Sequence, residues 1–340
     1  RGEVIMLTPK ENFLETLKKT GGKPDRLVNG YEPLVPVMID PVQKFTRGNR
    51  KKGMTTKDRW GTEIAWPEDQ LFAMPHITPD NKVCPDVTEW KKTVVVPDLV
   101  ANCSNPDDWE PALEAAAKVD KKDKMVMAFM GTGVFEEMHH LMGFEDTLMN
   151  VLLEPEAMLE LAEAIGEYRF QYTKLLVDYL HPDAIISHDD WGSKTSLFMS
   201  PESWRELIKP QYVKMYKYMK DHGVLILHHA DSYCEPIVED MVELGIDIWQ
   251  GVLPTNDIVK IQKELDGRMT LMGGIDSVID RADAGEKEIR EEVRRACMTY
   301  GPGGHFIPSL TYGLPGAMFP HLDSIIYDEI DQCSKELFKG

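Results

Sequence analysis

Histidines and aspartates gather where two apolar runs of this sequence end. Gly223-Val-Leu-Ile-Leu-His-His-Ala-Asp231 places His228, His229 and Asp231 directly after four apolar residues. Asp183-Ala-Ile-Ile-Ser-His-Asp-Asp-Trp-Gly192 repeats the design with His188, Asp189 and Asp190. Imidazoles beside carboxylates can move protons or hold a metal ion. Titratable residues just past the ends of buried parallel strands are where α/β barrels keep their chemistry. An enzyme is the leading expectation.

Successive side chains on a strand point to opposite faces, so only one histidine of the 228–229 pair enters a barrel mouth. We assign that place to His228; the alternative is a histidine satisfied by a neighbouring carbonyl, with Asp231 capping the next helix. Asp189 and Asp190 alternate in the same way and so do not share a proton; one of them belongs to the site, or Asp190 makes an Asx turn. Gly273-Gly-Ile-Asp276 ends another run, where Gly274 lets backbone approach a ligand, or Asp276 caps a helix. Gln250 offers an amide, and Ser309, Thr311 and Tyr312 offer hydroxyls. Together these residues would ring one mouth. Glu136 and His140 share a helix face at i, i+4 spacing, and a solvated face is the expectation there.

The elements that must position these groups alternate. Thr8-Pro-Lys-Glu11 is a capping box that starts a first helix. Leu34–Ile39 reads as a strand, residues 58–66 as a hairpin with two tryptophans, and Thr93–Val96 as a further strand. From Met125 onward, strands at 125–130, 184–187, 224–227, 246–250, 269–272 and 305–308 alternate with helices, including one over 135–150 and a long one from Pro155 to Tyr179. Such alternation implies a parallel sheet. The expected architecture is a single (β/α)8 TIM barrel over residues 1–340, with N-terminal helical and hairpin additions. An open doubly wound sheet is the rival, weakened by the absence of Gly-x-Gly-x-x-Gly after an early strand.

Bulk composition removes several classes. The 340 residues are 42% hydrophobic and 28% charged, enough for a full core in a soluble protein. A net charge of -19 argues against nucleic acid and anionic membranes as partners. No apolar run approaches the length of a membrane span. The opening residues lack the apolar core of a secretion signal. Five scattered cysteines with no Cys-x-x-Cys favour a reducing cytoplasm over a disulfide framework. No Gly-x-Ser-x-Gly, Walker loop or His-Glu-x-x-His occurs.

Several motifs carry a family resemblance. Leu7-Thr-Pro-Lys-Glu-Asn-Phe13 with Pro24-Asp-Arg26, Met142-Gly-Phe-Glu145 with Met149, Ser200-Pro-Glu-Ser-Trp204 through Lys209-Pro210, Ile226-Leu-His228, Leu244-Gly-Ile-Asp247 and Gly273-Gly-Ile-Asp276 resemble the uroporphyrinogen decarboxylase superfamily, which includes cobalamin-dependent methyltransferases. The resemblance spans nearly the whole chain and implies a (β/α)8 barrel. Two departures narrow the branch. The decarboxylases carry an arginine-rich signature after the first strand, where this chain has Ile39-Asp-Pro-Val-Gln-Lys44; Arg47-Gly-Asn-Arg-Lys-Lys-Gly53 is a poor substitute. The thiol-methylating branch binds zinc through His-x-Cys and a later cysteine. Here His228 matches the histidine, Ala230 stands in place of the first cysteine, and residues 307–312 contain none. The resemblance thus makes His228 a metal ligand only without its thiolate partners; a thiol-activating zinc is not expected, while an oxygen- and nitrogen-ligated zinc or another cation stays open.

What remains is the branch that takes methyl groups from methoxylated aromatics to a corrinoid protein. The resemblance implies a small-molecule methyl donor and a partner carrying cobalamin that docks over the mouth. On this reading His228, supported by Asp231 or Asp189, donates a proton to the leaving oxygen, while His188, Asp190, Gln250, Gly274, Asp276 and Tyr312 contact substrate. The alternatives are a decarboxylase of a porphyrinogen-like or other carboxylated substrate, and a barrel that binds a small molecule or tetrapyrrole without turnover.

Overall fold

A computed structural model of the chain describes residues 6–70, 72–311 and 318–338. Ten strands occur among them: β1 Leu34–Val37, β2 Met54–Lys57, β3 Glu63–Trp66, β4 Met74–Pro75, β5 Met125–Met130, β6 Ala184–His188, β7 Leu225–His229, β8 Ile248–Val252, β9 Thr270–Ile275 and β10 Phe306–Leu310. Seven form one sheet in the order β1-β5-β6-β7-β8-β9-β10, every neighbouring pair parallel. Strands this apolar are buried on both faces, as in parallel sheets covered by helices.

The two faces pack differently. Outward residues such as Val126, Ile185, Ile226 and Leu271 join a large core shared with the helices. Inward residues Leu34, Met127, Ile186, Leu227, Ile248, Met272 and Ile307, one or more from each of the seven strands, form a separate cluster closed by Phe13, Val28 and Tyr31. The sheet therefore curls around its inner face, an α/β barrel-like fold. The chain ends meet across the remaining gap: the Leu27 amide donates to Ser334 Oγ at 2.7 Å and Asn29 Nδ2 to the Tyr327 carbonyl at 2.9 Å, both on the last helix, Pro320–Leu337.

Eight closed strands are not reached among the described residues. Where a second barrel strand belongs, β1 pairs directly with β5, and the intervening chain builds the antiparallel sheet β2-β3-β4 and short helices. The strand expected at Thr93–Val96 is absent: Thr93 ends the helix Trp90–Thr93, and Val95, 74% exposed, precedes Pro97, which has no amide for a ladder. The expected hairpin shifts, so that residues 58–62 form its turn. Asp58 Oδ1 accepts the amides of Trp60 and Thr62 there, and Gly61 takes φ 90°. The helix expected over 135–150 breaks at Gly143, whose φ of 92° suits glycine, into Val134–Met142 and Phe144–Leu153. The capping box at Thr8 and Glu11 forms as expected. No helix of the described residues is long and apolar enough to cross a membrane.

Candidate active site

The inner face changes character one residue pair beyond its apolar cluster. Two positions after Ile186, Leu227 and Ile248, on the same face, stand His188, His229 and Gln250. They lie in register across three neighbouring strands, His188 beside His229 and His229 beside Gln250. The two imidazoles stack with centroids 4.2 Å apart. His229 Nδ1 bonds Gln250 Oε1, which only accepts, so Nδ1 carries the proton and Nε2 is left bare. Nε2 lies 4.0 Å from Asp190 Oδ1. His188 Nδ1 donates to Glu136 Oε2 at 2.9 Å. One ligand atom each from His188, Asp190 and His229 falls within 4.8 Å of the others.

The proton preferences of the pair diverge. Burial alone would depress His188, but the Glu136 carboxylate outweighs it and pushes the imidazole up to about 9. Burial, reinforced by neighbouring His188, pulls His229 down to about 4. Asp231 also stands beside this row; burial and then the Asp190 carboxylate raise it to about 8. Its backbone amide donates to Asp190 Oδ1 at 3.0 Å.

His228 points the other way. It faces the helices rather than the mouth, completely buried, with its ring on Trp191 at 3.9 Å. Nε2 donates to the Asp189 carbonyl at 3.2 Å, so Nδ1 accepts the Tyr216 hydroxyl at 2.6 Å. Burial holds it well below the usual histidine range, neutral. The expectation that His228 enters the mouth is corrected: strand parity gives that place to His229. Asp189 is likewise behind the sheet. Its carboxylate accepts from Tyr212 Oη at 2.6 Å, Trp191 Nε1 at 2.9 Å and the amides of Phe135 and Glu136, so it caps the helix Val134–Met142. A Cβ on Gly133 would come within 2.0 Å of that carboxyl group.

A cavity of ≈ 320 Å³ opens beside the row, between the β2-β3-β4 sheet and the carboxyl ends of β5 and β6. Trp60, Phe129, Tyr168 and Met74 give it an apolar wall, and Glu136 and His188 line its inner side. Arg47 and Arg50 also line it, and neither has a carboxylate within ion-pair distance among the described residues. Glu137 is 4% exposed with Oε1 unpartnered, and burial followed by Asp58 and Glu136 keeps its carboxyl well above its ordinary value. The expected solvated face at Glu136–His140 is thus corrected: both carboxylates turn toward the cavity. Arg169, fully buried, braces the same corner by donating to the carbonyls of Gly131 and Thr132 and to Ser187 Oγ at 2.7 Å; Thr132 sits at φ 46°. The sequence signal for Glu136 was faint, since its partner His188 lies 52 residues away.

The remaining expected residues stand apart. A Cβ on Gly274 would strike the Phe306 and Tyr300 rings, and its carbonyl accepts from Arg295, so it packs against helix Glu286–Tyr300 rather than lining the cavity. Asp276 accepts the Val278 amide at 3.0 Å as a helix cap, the alternative weighed for it. Tyr312 lies outside the described residues. A thiolate zinc site does not fit at His228: both ring nitrogens are engaged, and Ala230 follows where a sulfur would be needed.

A barrel-like parallel sheet with imidazoles, carboxylates and a cavity at its carboxyl ends is the arrangement in which α/β barrel enzymes hold their chemistry. Residues 73–321 match the family Uroporphyrinogen decarboxylase (URO-D). The chain belongs to that family. Among solved structures it is similar to a methyltransferase from Methanosarcina mazei, with 17% identity, a TM-score of 0.65, and 96% of this chain and 99% of the other covered. A sugar phosphate isomerase/epimerase from Parabacteroides distasonis overlaps less, at 10% identity and a TM-score of 0.35, covering 67% of this chain and 76% of that one. No curated protein matches the sequence.

Proposed function

We propose that the protein is a methyltransferase that takes the methyl group of a small methoxylated aromatic donor and passes it to cob(I)alamin carried by a partner corrinoid protein. One observation carries this reading: His188 belongs both to the wall of the aromatic cavity and to the inward row of titratable groups. A ring held against Trp60 and Phe129 would bring its ether oxygen to that row. The likeness to the Methanosarcina mazei methyltransferase supports the scaffold. Arg47 and Arg50 supply charge for an anionic ring substituent.

The chemistry asks little else of the chain. The partner's corrinoid would supply the nucleophile that takes up the methyl carbon; the carbon–oxygen bond would break and its electrons would stay on the phenolic oxygen. That oxygen is a poor leaving group unless an electrophile meets its charge, a contribution of roughly 100- to 10,000-fold for a positioned proton donor. The inward row of His188, His229 and Asp190 supplies the electrophile. Decarboxylation of a porphyrinogen fits less well, because Asp58, Glu136 and Glu137 share the wall that several substrate carboxylates would have to face. The test is to incubate the protein with reduced corrinoid protein and a panel of methoxyarenes while following cob(I)alamin conversion to methylcobalamin by absorbance. Conversion is expected with at least one donor. No conversion across the panel, with carbon dioxide released from a porphyrinogen, would assign the protein to decarboxylation.

A further inference from the structure

We propose that His188, His229 and Asp190 form a binding site for a divalent transition-metal ion of the zinc class. The ligand set is the first argument. Two imidazoles and one carboxylate, each with a ligand atom within 4.8 Å of the others, stand on the inner face of β6 and β7 and just past the end of β6. Zinc bonds of about 2.0 Å in tetrahedral geometry put ligand atoms about 3.3 Å apart. His229 Nε2 and Asp190 Oδ1 are 4.0 Å apart, so small side-chain rotations close the site.

The outer partners are the second argument. A metal-binding histidine donates its other ring N–H to a carboxylate or carbonyl oxygen, which fixes the tautomer and aims the bare nitrogen at the ion. Both histidines here are held in that way: His188 Nδ1 donates to Glu136 and His229 Nδ1 to the Gln250 amide oxygen, and an ion would displace the second ring proton that His188 carries when metal-free. Neither remaining nitrogen has a hydrogen-bond partner among the described residues. Gln250 is fixed in turn by burial, fully enclosed with Nε2 unpartnered. His228 shows the contrast, since both of its nitrogens are spent.

Nitrogen and oxygen ligands without sulfur suit zinc, cobalt or iron(II) in a site that keeps positions open for a substrate oxygen. His188 is shared with the cavity wall, so those positions face the donor. This role as the electrophile rests on the proposed methyl transfer; the site itself does not.

The experiment titrates chelator-treated protein with Co2+ and Zn2+, with no donor and no corrinoid present. One Co2+ per chain is expected, with visible d–d absorption displaced by Zn2+, and a Zn2+ Kd below about 1 μM. His229→Ala and Asp190→Asn should each weaken binding at least about 100-fold, and Glu136→Gln about 10- to 100-fold, as outer partners do. His222→Ala, on the surface, should leave it unchanged. Folding of each variant is checked by circular dichroism, with His188→Gln as a further ligand variant. Absence of stoichiometric binding, or affinity unchanged in folded His229→Ala, overturns the metal site. Methyl transfer by metal-free protein would then identify a proton on the same row as the electrophile and leave the proposed function standing.

Discussion

The two adjacent histidines of β7 should respond to alanine in opposite ways, because they lie on opposite faces of one strand. His228→Ala removes two hydrogen bonds, to Tyr216 and to the Asp189 carbonyl, and the ring stacked on Trp191. Each bond contributes about 1 kcal/mol net, and the buried Tyr216 hydroxyl, left with Ser187 as its neighbour, costs about 1 kcal/mol more. The space left by the ring adds to this, for a total of about 4 kcal/mol. With an unfolding entropy of about 2.1 cal/mol/K per residue, 340 residues give about 0.7 kcal/mol/K, so the unfolding midpoint should fall by about 6 °C. Below that midpoint the mouth is intact, and turnover should stay within a few-fold of wild type. His229→Ala loses one bond, to Gln250, beside a cavity that water can enter. Its midpoint should fall by only about 2 °C, while turnover falls at least about 100-fold. Scanning calorimetry reads the first quantity and methylcobalamin formation the second. An unchanged midpoint with lost turnover in His228→Ala would refute the assignment of faces.

Three further outcomes follow from the geometry. Gly133→Ala drives a methyl group into the Asp189 carboxyl at 2.0 Å, and should cost more than about 3 kcal/mol or abolish soluble expression; a stable variant would mean the helix cap is loose. Glu137 has a raised carboxyl pKa in the folded state, so its neutral form is favoured there and wild-type stability falls as pH rises above the unfolded value. Glu137→Gln should therefore match wild type near pH 4 and be the more stable protein near pH 8 in urea unfolding. Equal stability at both would show that the carboxyl ionises freely. Arg47→Ala with Arg50→Ala should weaken binding of anionic methoxyarenes about 10-fold or more and leave neutral ones within about 3-fold, measured by calorimetry; equal losses for both donors would place the arginines outside recognition.

The position of the site was legible in the sequence, while its orientation was not. Apolar runs that stop at His188 and His228 mark strand ends by composition alone, and strand parity requires that one member of each pair turn inward. Parity does not say which. In a strand buried on both faces there is no polar side to count from. The outward row Ser187, His228, Trp249 carries polar groups just as the inward row His188, His229, Gln250 does. The one usable signal was register across strands, since Ile186, Leu227 and Ile248 each precede an inward polar residue by two. Register is a tertiary property, absent from any single segment. Glu136 was hidden for a related reason: a helix with carboxylates and histidines looks solvated until a sheet residue 52 positions away supplies the partner.

Saturation separates the scaffold from the chemistry at these strand ends. Behind the sheet the groups nearest the mouth are filled: His228 at both nitrogens, Asp189 by two side chains and two amides, Ser187 by Arg169. A new partner there would have to break an existing bond and strand a buried group, at about 1–3 kcal/mol. On the inner face the same strands leave capacity unused, at the second nitrogens of His188 and His229 and at Gln250 Nε2. Each of these is nonetheless fixed in direction by its other bond. A group held at one atom and unspent at the other can meet a ligand with little reorganisation, which is what preorganised electrostatic catalysis requires. Filling the outer row is therefore what allows the inner row to stay open, and a change that removes the Arg169 guanidinium or the Asp189 carboxylate, each with three or more bonds of its own, should harm the mouth through the positions of His188 and Asp190 without touching a ligand.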